Sequence, residues 1–372
     1  MNKTCLIYNY AQHYRIGVFK LLDVKLNIDS YFGDKMADVK KLDYNELANY
    51  KNELKNIQIF KGVYFQKGAV RLLFKKYDNY ILLGEYYNIS TWLILILAKF
   101  SNKKVFLWTH GWYGNESVLK RFIKKTFFKL SNGILLYGNY AKDLMIKEGF
   151  DTNNLHVIYN SLFYNKQLEI RNQLIPTNVY QSYFKNSNPV LVFIGRLTKV
   201  KQLNKLLEAV SNINNNGVSV NVVLIGDGVL KDELVNLSKK LNIDNQVWFY
   251  GACYDEVKIG ELIYNADLCV SPGNVGLTAI HTMTYGTPVI THDNFAMQMP
   301  EFEAIKQGVT GDFFKYNDFN DLVNKINLWL KNNNREQVRV NCYNMIDDYF
   351  NPNFQLEVIK KILDEGDVKK AV

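Results

Sequence analysis

The sequence is poor in the features that mark secreted, zinc-binding or membrane-spanning proteins. Its four cysteines, at positions 5, 253, 269 and 342, give neither a disulfide framework nor the spacing of a zinc site. Its longest apolar run, ISTWLILILAKF, covers 12 residues (89–100), whereas a helix that crosses a bilayer needs about 20. The start, MNKTCLIYNY, has no signal-peptide pattern. We therefore expect a soluble or peripheral protein of a reducing cytoplasm, with a buried helix at 89–100.

Two ligand-binding motifs are also missing. No G-x-G-x-x-G follows the first predicted strand in LIYNYAQHYRIG, which argues against an NAD-dependent oxidoreductase. No Asp-x-Asp pair is present to hold a divalent metal. We predict neither a metal nor a cofactor.

Acidic residues are scarce in the first half of the chain. Residues 1–165 hold 24 Lys and Arg against 13 Asp and Glu, whereas residues 166–372 hold 21 against 23. The formal charge is therefore +11 in the first half and −2 in the second. This asymmetry indicates an anionic partner for the first half, either nucleic acid or an acidic membrane surface.

Short β-rich runs alternate with helix-length segments throughout the 372 residues. The runs are TCLIYNY, IDSYF, NIQIF, NYILLG, KVFLWTH and GILLYG in the first half, and PVLVFIG, VNVVLIGDG, QVWFYG, DLCVSP and PVITHD in the second. This α/β pattern predicts two Rossmann-like, doubly wound domains that face each other across a cleft. The predicted boundaries are an N-terminal domain at 1–165, a linker at 166–188, a C-terminal domain at 189–340 and returning helices at 341–372.

Residues 271–294, SPGNVGLTAIHTMTYGTPVITHDN, contain no Lys or Arg although they include a predicted helix start, which favours anions. Cations stand on another predicted loop, GRLTKVKQLNKLLEA, which starts at Gly195. There Arg196 and Lys201 are suited to phosphate, or are solvated surface charges beside a turn.

Two further strand-end turns contribute candidate residues. Gly226 lies in LIGDG. By itself this sequence is weak evidence for a binding site, because Gly-Asp-Gly is common in turns. Tyr254 lies in FYGACYDE, where it would contact a planar base or pack at the rim.

Five motifs of the second half resemble, in order and spacing, the nucleotide-sugar domain of GT-B glycosyltransferases, above all the retaining family 4. They are FIGRLTKVKQLNKLLEA, VVLIGDG, VWFYG, ADLCVSPGNVGLTAIHTMTYGTPVI and EAIKQGVTGDFF, within residues 190–314. The resemblance implies that Arg196 and Lys201 hold a donor diphosphate. It also implies that backbone amides bind the diphosphate at the start of the helix in ADLCVSPGNVGLTAIHTMTYGTPVI. These amides belong to Gly276, Leu277 and Thr278.

The sequence departs from this family at two positions. Family members carry two glutamates eight positions apart, where this chain has Gly273 and His281. His281 would bind ribose hydroxyls through a ring nitrogen, or pack within its helix. Without the first glutamate, the resemblance does not predict the identity of the donor sugar. Asn274, one residue further on, could replace the glutamate as a contact to the sugar. The resemblance further places an acid near the donor at Glu301 or Glu303, with a helix-start acid as the alternative.

The first half offers acceptor-side candidates after its first strands. Tyr14, Arg15 and Gly17 lie where the first strand passes into a helix, and related enzymes start with a similar Tyr-Arg pair. Glu85 follows the strand NYILLG, where a partly solvated loop acid is the alternative.

The stretch FLWTHGWYGNES provides a further group of candidates. His110 ends a strand, Gly111 permits a turn, and Trp112 and Tyr113 offer flat faces on which sugars stack. Related glycosyltransferases carry a polar residue near the reacting sugar here, so His110 joins Arg196 and Lys201 as a catalytic candidate. A core histidine is the alternative.

Residues 117–133, SVLKRFIKKTFFKLSNG, have the pattern of a basic amphipathic helix. Its predicted apolar side consists of Leu119, Phe122, Ile123, Phe127 and Leu130, and its predicted polar side of Lys120, Arg121, Lys124, Lys125 and Lys129. With RLLFKK at 71–76, this pattern favours an anionic membrane surface on the inner face of the membrane, and a core-facing helix with a solvated basic face is the alternative. Nucleic acid is disfavoured because the aromatic residues are not interleaved with the basic ones.

Together these features predict a metal-independent retaining glycosyltransferase. It would move a sugar from a nucleotide-diphosphate donor to a glycan acceptor, which we expect to be lipid-linked, in surface polysaccharide synthesis of the O-antigen or capsule type. A non-catalytic nucleotide- or glycan-binding relative and a nucleotide-sugar epimerase are the alternatives.

Overall fold

The computed structural model describes residues 3–35 and 39–368, with side chains described up to residue 364. The chain divides into two compact units, and each is described by itself. Unit 1 contains the described residues of Met1–Phe163 and Asn351–Val372, and unit 2 consists of Tyr164–Phe350.

Unit 1 is built on an eight-stranded sheet in the order β4-β3-β2-β1-β5-β6-β7-β8. Its pairs are parallel except for β3 with β4, which is antiparallel. The strands are β1 Thr4–Tyr8, β2 Asp29–Gly33, β3 Tyr50–Phe60, β4 Val63–Lys67, β5 Asn79–Leu83, β6 Lys104–Thr109, β7 Gly133–Leu136 and β8 Leu155–Val157. All six predicted strand runs of this half are strands, whereas β4 and β8 were not predicted.

The central strands of unit 1 are buried on both faces, which explains their continuous apolar runs. Along β1, Cys5 and Ile7 belong to one core cluster, and Leu6 and Tyr8 belong to the other. Because successive side chains of a strand point to opposite faces, one strand supplies both cores. The same alternation continues in β5 and β6.

Helices cover the two faces of this sheet. They are α1 Ile16–Leu26, α2 Ile89–Ala98, α3 Val118–Lys129 and α4 Asn139–Lys147. The expectation that residues 89–100 form a buried helix is only half correct. One side of α2 buries Ile94 and Leu95, but Leu93, Ile96 and Leu97 on the other side remain about 40% exposed.

The predicted faces of α3 require correction. Leu119 and Phe122 belong to the predicted apolar side, yet they are 69% and 70% exposed, while Lys124 is buried beside Phe127 and Phe128. The reason is that the core contacts only the second half of the helix. The buried face of α3 therefore consists of Lys124, Phe127 and Phe128.

Unit 2 is built on a six-stranded parallel sheet in the order β11-β10-β9-β12-β13-β14. Its strands are β9 Val190–Ile194, β10 Asn221–Ile225, β11 Val247–Gly251, β12 Leu268–Val270, β13 Val289–His292 and β14 Gly311–Phe314. Its helices are α5 Tyr164–Arg171, α6 Val179–Phe184, α7 Leu203–Asn215, α8 Lys231–Lys240, α9 Glu256–Asn265, α10 Leu277–Thr284, α11 Phe319–Asn332 and α12 Arg335–Asp348. The α/β class with two Rossmann-like sheets is confirmed.

The segments at the predicted boundaries divide differently between the units. Residues 166–188, expected as a linker, contain most of α5 and all of α6, and both belong to unit 2. Of the predicted returning helices, α12 stays in unit 2, whereas α13 (Pro352–Val368) belongs to unit 1 and packs on α1. The contact is close, since a Cβ on Gly17 would lie 3.0 Å from Pro352 Cγ.

In the part of the chain that the structure describes, none of the helices has the length and apolar character needed to traverse a bilayer.

Candidate functional site

In unit 2, the loops after β9 and β10 lie side by side at the carboxyl edge of the sheet. Gly195 N donates to Ile225 O (2.9 Å), and Gly226 N donates to Gly251 O (2.8 Å), so the strand ladder continues into both turns. Arg196 follows at the exposed tip of the first loop. The sequence-predicted Gly195, Arg196 and Gly226 therefore lie together at this edge.

The β9 loop continues into a short 3-10 turn, Lys199–Lys201, that lies against the loop before α10. Gly273 N donates to Lys201 O (3.0 Å), and Asn274 N donates to Val200 O (3.2 Å). Lys201 Nζ in turn donates to Asn274 O (2.7 Å) and to Asn274 Oδ1 (3.0 Å). These bonds hold the ammonium of Lys201 at the start of α10.

The close approach of these loops explains the glycine at position 273. A Cβ on Gly273 would overlap Val200 O and lie 2.8 Å from Lys201 Cα. A glutamate would therefore displace the turn that carries Lys201. The departure from the family pattern is thus tied to the loop contact, and Asn274 supplies the polar group beside it.

The electrostatic setting of Lys201 favours an anion nearby. Burial is the largest cause that lowers the pKa of its ammonium, Glu301 acts in the opposite direction and Arg196 acts with burial, and the pKa is lowered to about 8. Glu301 is buried in the 3-10 turn Pro300–Ala304. Of the two acids considered in this region, Glu301 is therefore the one that acts on Lys201.

The N-terminus of α10 is shaped by Gly276, whose φ of 54° and ψ of −147° suit glycine. A Cβ at this position would lie 3.8 Å from Lys201 Nζ. The Thr278 hydroxyl donates to Ile194 O (2.7 Å) and fixes the helix to the end of β9. The first amides of a helix have no partner within it, so those of Leu277 and Thr278 start beside the Lys201 ammonium.

His281 lies one turn further along α10 and contacts an acid that was not predicted from the sequence. Its Nε2 is 2.8 Å from Glu256 Oε1, which also accepts from Gln167 Nε2 (2.8 Å) and Tyr285 OH (2.9 Å). Burial acts to raise the pKa of Glu256, but His281 and these hydrogen bonds bring it down to about 2. The sequence contained one signal that could have identified Glu256. It is an acid at the first position of α9, directly after the capping residue Asp255.

Tyr254 precedes this cap and is 92% exposed. It lies in the turn after β11, as predicted. In the described structure its ring faces solvent.

Unit 1 contains a cavity of about 320 Å³ at the carboxyl ends of β1, β5 and β6. The acceptor-side candidates that line it are Tyr14, Arg15, Glu85, His110, Gly111 and Tyr113. The other lining residues are Tyr8, Asn9, Gln12, Leu83, Gly84, Tyr86, Tyr87, Thr109, Lys120, Lys124, Phe128 and Tyr137.

Two predicted residues do not line this cavity. Trp112, expected to stack on a sugar, is 3% exposed and packs against Phe128 and Phe150, so Tyr113 presents the aromatic face instead. Gly17 faces Pro352 in the contact between α1 and α13. In each case, the spacing located the segment correctly but not the direction of the residue.

Glu85 is fixed at the wall of the cavity by neutral donors. Asn9 Nδ2 donates to both of its carboxylate oxygens (3.2 and 3.3 Å), and Tyr64 OH donates to Oε2 (2.5 Å). Burial raises the pKa of this carboxyl despite these hydrogen bonds. Glu85 is thus a partly buried acid whose proton affinity is increased.

His110 shares its cavity with two cations. Burial, and after it the charges of Arg15 and Lys124, lower the pKa of its imidazole to about 4. Lys124 Nζ donates to Gly111 O (2.6 Å) and pairs with Glu116 (2.5 Å). At neutral pH His110 is therefore a neutral imidazole in a cavity with nearby positive charge.

Residues 176–345 match the family described as Glycosyl transferases group 1. Among curated proteins, a GDP-mannose-dependent α-(1-6)-phosphatidylinositol dimannoside mannosyltransferase of Mycobacterium tuberculosis is 28% identical over 122 residues, which cover 32% of this chain and 31% of that protein. The matches with the first curated relatives span 31% to 53% of their lengths.

Solved structures resemble the chain over nearly its whole length. Anabaena HepE in complex with UDP gives a TM-score of 0.71 at 15% identity, covering 98% of this chain and 100% of that one. The lipopolysaccharide outer core galactosyltransferase WaaB gives 0.72 at 16% identity, with coverage of 98% and 99%. At these identities the similarity concerns the fold.

Proposed function

We propose that this chain, which has the GT-B fold and belongs to the group 1 glycosyltransferases through residues 176–345, transfers a sugar from a nucleotide-diphosphate donor to a glycan acceptor. The observation that carries the proposal is the Lys201 ammonium, held 2.7 Å from Asn274 O at the N-terminus of α10. A cation beside the first amides of a helix is suited to a diphosphate. The complex of Anabaena HepE with UDP supports a nucleotide ligand.

In the proposed reaction, negative charge develops on the diphosphate as it leaves the sugar. Arg196, Lys201 and the amides of Leu277 and Thr278 are the groups that stabilise this charge. These cations do the work that a divalent metal does in other enzymes, so transfer is metal-independent. His110 contacts the reacting sugar as a neutral hydrogen-bonding group. The anomeric configuration is retained, as the family 4 resemblance implies.

Unit 1 binds the acceptor in the cavity lined by Arg15, Glu85 and His110. The acceptor is lipid-linked, and the product belongs to a surface polysaccharide, a role supported by the similarity to the lipopolysaccharide galactosyltransferase WaaB. Val118, Leu119 and Phe122 on α3 are 83%, 69% and 70% exposed. They adjoin the basic side chains of the same helix and bind the inner face of an anionic membrane.

Nucleotide binding tests the donor site. UDP, GDP, ADP and CMP are compared by thermal melting of the wild type and of Lys201→Ala, with Lys199→Ala in the same turn as the matched control. A ligand at a hundred times its dissociation constant adds about 2.7 kcal/mol of stability. We expect one diphosphate to stabilise the wild type and Lys199→Ala but not Lys201→Ala. Equal shifts in all three proteins, or none in the wild type, would refute the donor site.

Vesicle sedimentation tests the membrane contact separately. We expect binding to vesicles that contain anionic lipid, and we expect Leu119→Ser/Phe122→Ser to lose it while keeping the melting temperature. The control is Val229→Ser at an exposed position of unit 2. Equal sedimentation of the double variant and the wild type would exclude α3 as the contact.

A non-catalytic nucleotide-binding relative is the second candidate, because Gly273 and His281 occupy the positions of the family glutamates. Detection of sugar transfer or donor hydrolysis with the stabilising nucleotide's sugar would exclude it. An epimerase would instead release an altered sugar nucleotide with no acceptor present.

A further inference from the structure

Arg15 carries a buried positive charge that is only partly hydrogen-bonded. Its side chain lies at the start of α1, and the residue is 7% exposed. Nη2 donates to Tyr137 OH (2.7 Å), whereas Nε and Nη1 are buried with no hydrogen-bond acceptor. A guanidinium has five N–H donors, so most of its hydrogen-bonding capacity is unused.

Aromatic rings surround this guanidinium. Its Cζ lies 5.3 to 5.7 Å from the ring centroids of Tyr8, Trp108 and Tyr137. Such cation–π contacts offset part of the cost of burial. They supply no oxygen for Nε or Nη1.

The two acids near the cavity are engaged elsewhere. The Glu85 carboxylate accepts from Asn9 and Tyr64. The Glu116 carboxylate accepts from Lys124 Nζ and from the amides of Tyr113 and Gly114 (2.9 Å each). Among the described residues around this cavity, Arg15 thus has no salt-bridge partner.

A second group beside the cavity is also unsatisfied. His110 Nδ1 is buried and has no hydrogen-bond partner. Burial is the main cause of the low pKa of its imidazole, and the charges of Arg15 and Lys124 lower the pKa in the same direction. A buried, incompletely hydrogen-bonded cation is unfavourable unless a partner binds it.

We propose that the acceptor carries an anionic oxygen group, a phosphate ester or a carboxylate, and that this group binds at Arg15 beside His110. This inference rests on the proposed role of unit 1 in acceptor binding. The cavity of about 320 Å³ lies at the lower end of the range of small-molecule sites, about 300–1,000 Å³, which suits a sugar that bears one such group. An oxyanion supplies acceptors for the guanidinium and balances its charge.

The test observes His110 in the whole protein by NMR. Its ring signals are assigned with His110→Gln and followed during titration with four probes: glucose 1-phosphate, inorganic pyrophosphate, glucuronate and the neutral methyl α-glucoside. We expect an anionic probe to move these signals and to raise the pKa of the His110 imidazole by about one unit or more, because a nearby anion stabilises the imidazolium. The neutral probe should leave both unchanged.

Three arginine variants locate the response. Arg15→Met should weaken binding at least tenfold, whereas Arg71→Met, an exposed position of unit 1, should match the wild type. Arg196→Met controls for anions at the donor site and should keep the His110 response. If Arg15→Met does not fold, Arg15→Lys should still weaken binding, because it loses the planar fork.

The outcomes distinguish a phosphate from a carboxylate as the anionic group, and they distinguish the anion site at Arg15 from the proposed sugar transfer. Tighter binding of the phosphate probes indicates a sugar phosphate or lipid phosphate, and tighter binding of glucuronate indicates an acidic sugar. No His110 response to any anion, an equal response to the neutral probe, or unchanged affinity in Arg15→Met overturns the inference. A failed nucleotide melting test with an intact His110 response would refute sugar transfer and leave the anion site standing.

Discussion

In unit 1, the cations of the candidate site are buried among aromatic rings or paired with an acid, whereas in unit 2 the partly buried Lys201 is held by the oxygens of Asn274 and has no paired acid among the described residues. Arg15 faces three rings and Lys124 faces Glu116, while Lys201 donates to Asn274 O. Two similar sheets thus present positive charge in different ways. Unit 1 surrounds its cations with aromatic rings or a buried acid, and unit 2 fixes Lys201 through the contact of two loops.

The largest expected effect comes from the side-chain pair of unit 1. Lys124→Met leaves Glu116 buried without its cation, and breaking such a pair costs about 3–5 kcal/mol. Their side chains are 3% and 1% exposed. Urea unfolding measures the loss, and Lys129→Met on the exposed side of α3 should stay within about 0.5 kcal/mol of the wild type. A loss of similar size in both variants would remove the distinction between paired and solvated lysines.

The loop contact of unit 2 is tested by restoring the family residue. Gly273→Glu should displace the Lys201 turn and break the two hydrogen bonds to Val200 O and Lys201 O, at a cost of about 2–3 kcal/mol. It should also abolish stabilisation by nucleotide. Thermal melting measures both effects, with Val229→Glu as a control for the added charge. A Gly273→Glu protein that binds nucleotide more tightly would show that the loop tolerates a side chain.

The next effect is a pH dependence in unit 1. The pKa of His110 is lowered to about 4 from 6.5. As the pH falls, the imidazole is therefore protonated in the unfolded chain before it is protonated in the folded chain. Stability is complete above pH 6.5 and falls as the pH drops towards 4. One pKa unit is 1.36 kcal/mol, and partial exposure of the ring reduces the full value to about 2 kcal/mol. We expect the free energy of unfolding of His110→Gln, measured at a series of pH values, to fall by about 2 kcal/mol less than that of the wild type between pH 6.5 and 4.

His292 on β13 titrates in the same direction, since burial lowers its pKa to about 4. It remains in both proteins and therefore cancels in the difference. Identical pH profiles for the wild type and His110→Gln would mean that the imidazole is not buried as described.

The smallest effect concerns the nucleotide affinity of unit 2. If His281 contacts ribose and Glu256 orients it, His281→Ala and Glu256→Gln should each weaken nucleotide binding about fivefold to tenfold, or about 1 kcal/mol. The double variant should be no weaker than either single variant, because the residues act as one unit. Calorimetric titration measures this, and unchanged affinity in His281→Ala would assign the pair to helix packing.

The sheets were predictable from sequence because central parallel strands are continuous apolar runs. The strands that escaped prediction lie at edges or are short. In unit 1, β4 (VYFQK) mixes polar and apolar residues at the sheet edge, and β8 has three residues. In unit 2, β14 (GDFF) is an edge strand that begins with glycine and aspartate. Such segments lack the apolar signal of a buried strand.

The candidate site was predictable as segments but not as contacts. Spacing located Trp112 after β6 but could not tell a cavity wall from the core. Lys124 was expected in solvent because a lysine usually is, and its buried acid lies eight positions earlier at Glu116. Glu256 was missed because its partner, His281, is distant in sequence and is brought near by the fold.

The return of α13 to unit 1 has a consequence for biosynthesis. Leu356, Ile359 and Ile362 belong to the same core cluster as residues of β1 and α1. On the ribosome, all of Tyr164–Phe350 is translated before these side chains emerge, an interval of about 10–40 s at about 5–20 residues per second. Unit 2 is continuous and can complete its folding first. The core of unit 1 is therefore completed only after all of unit 2 has been synthesised.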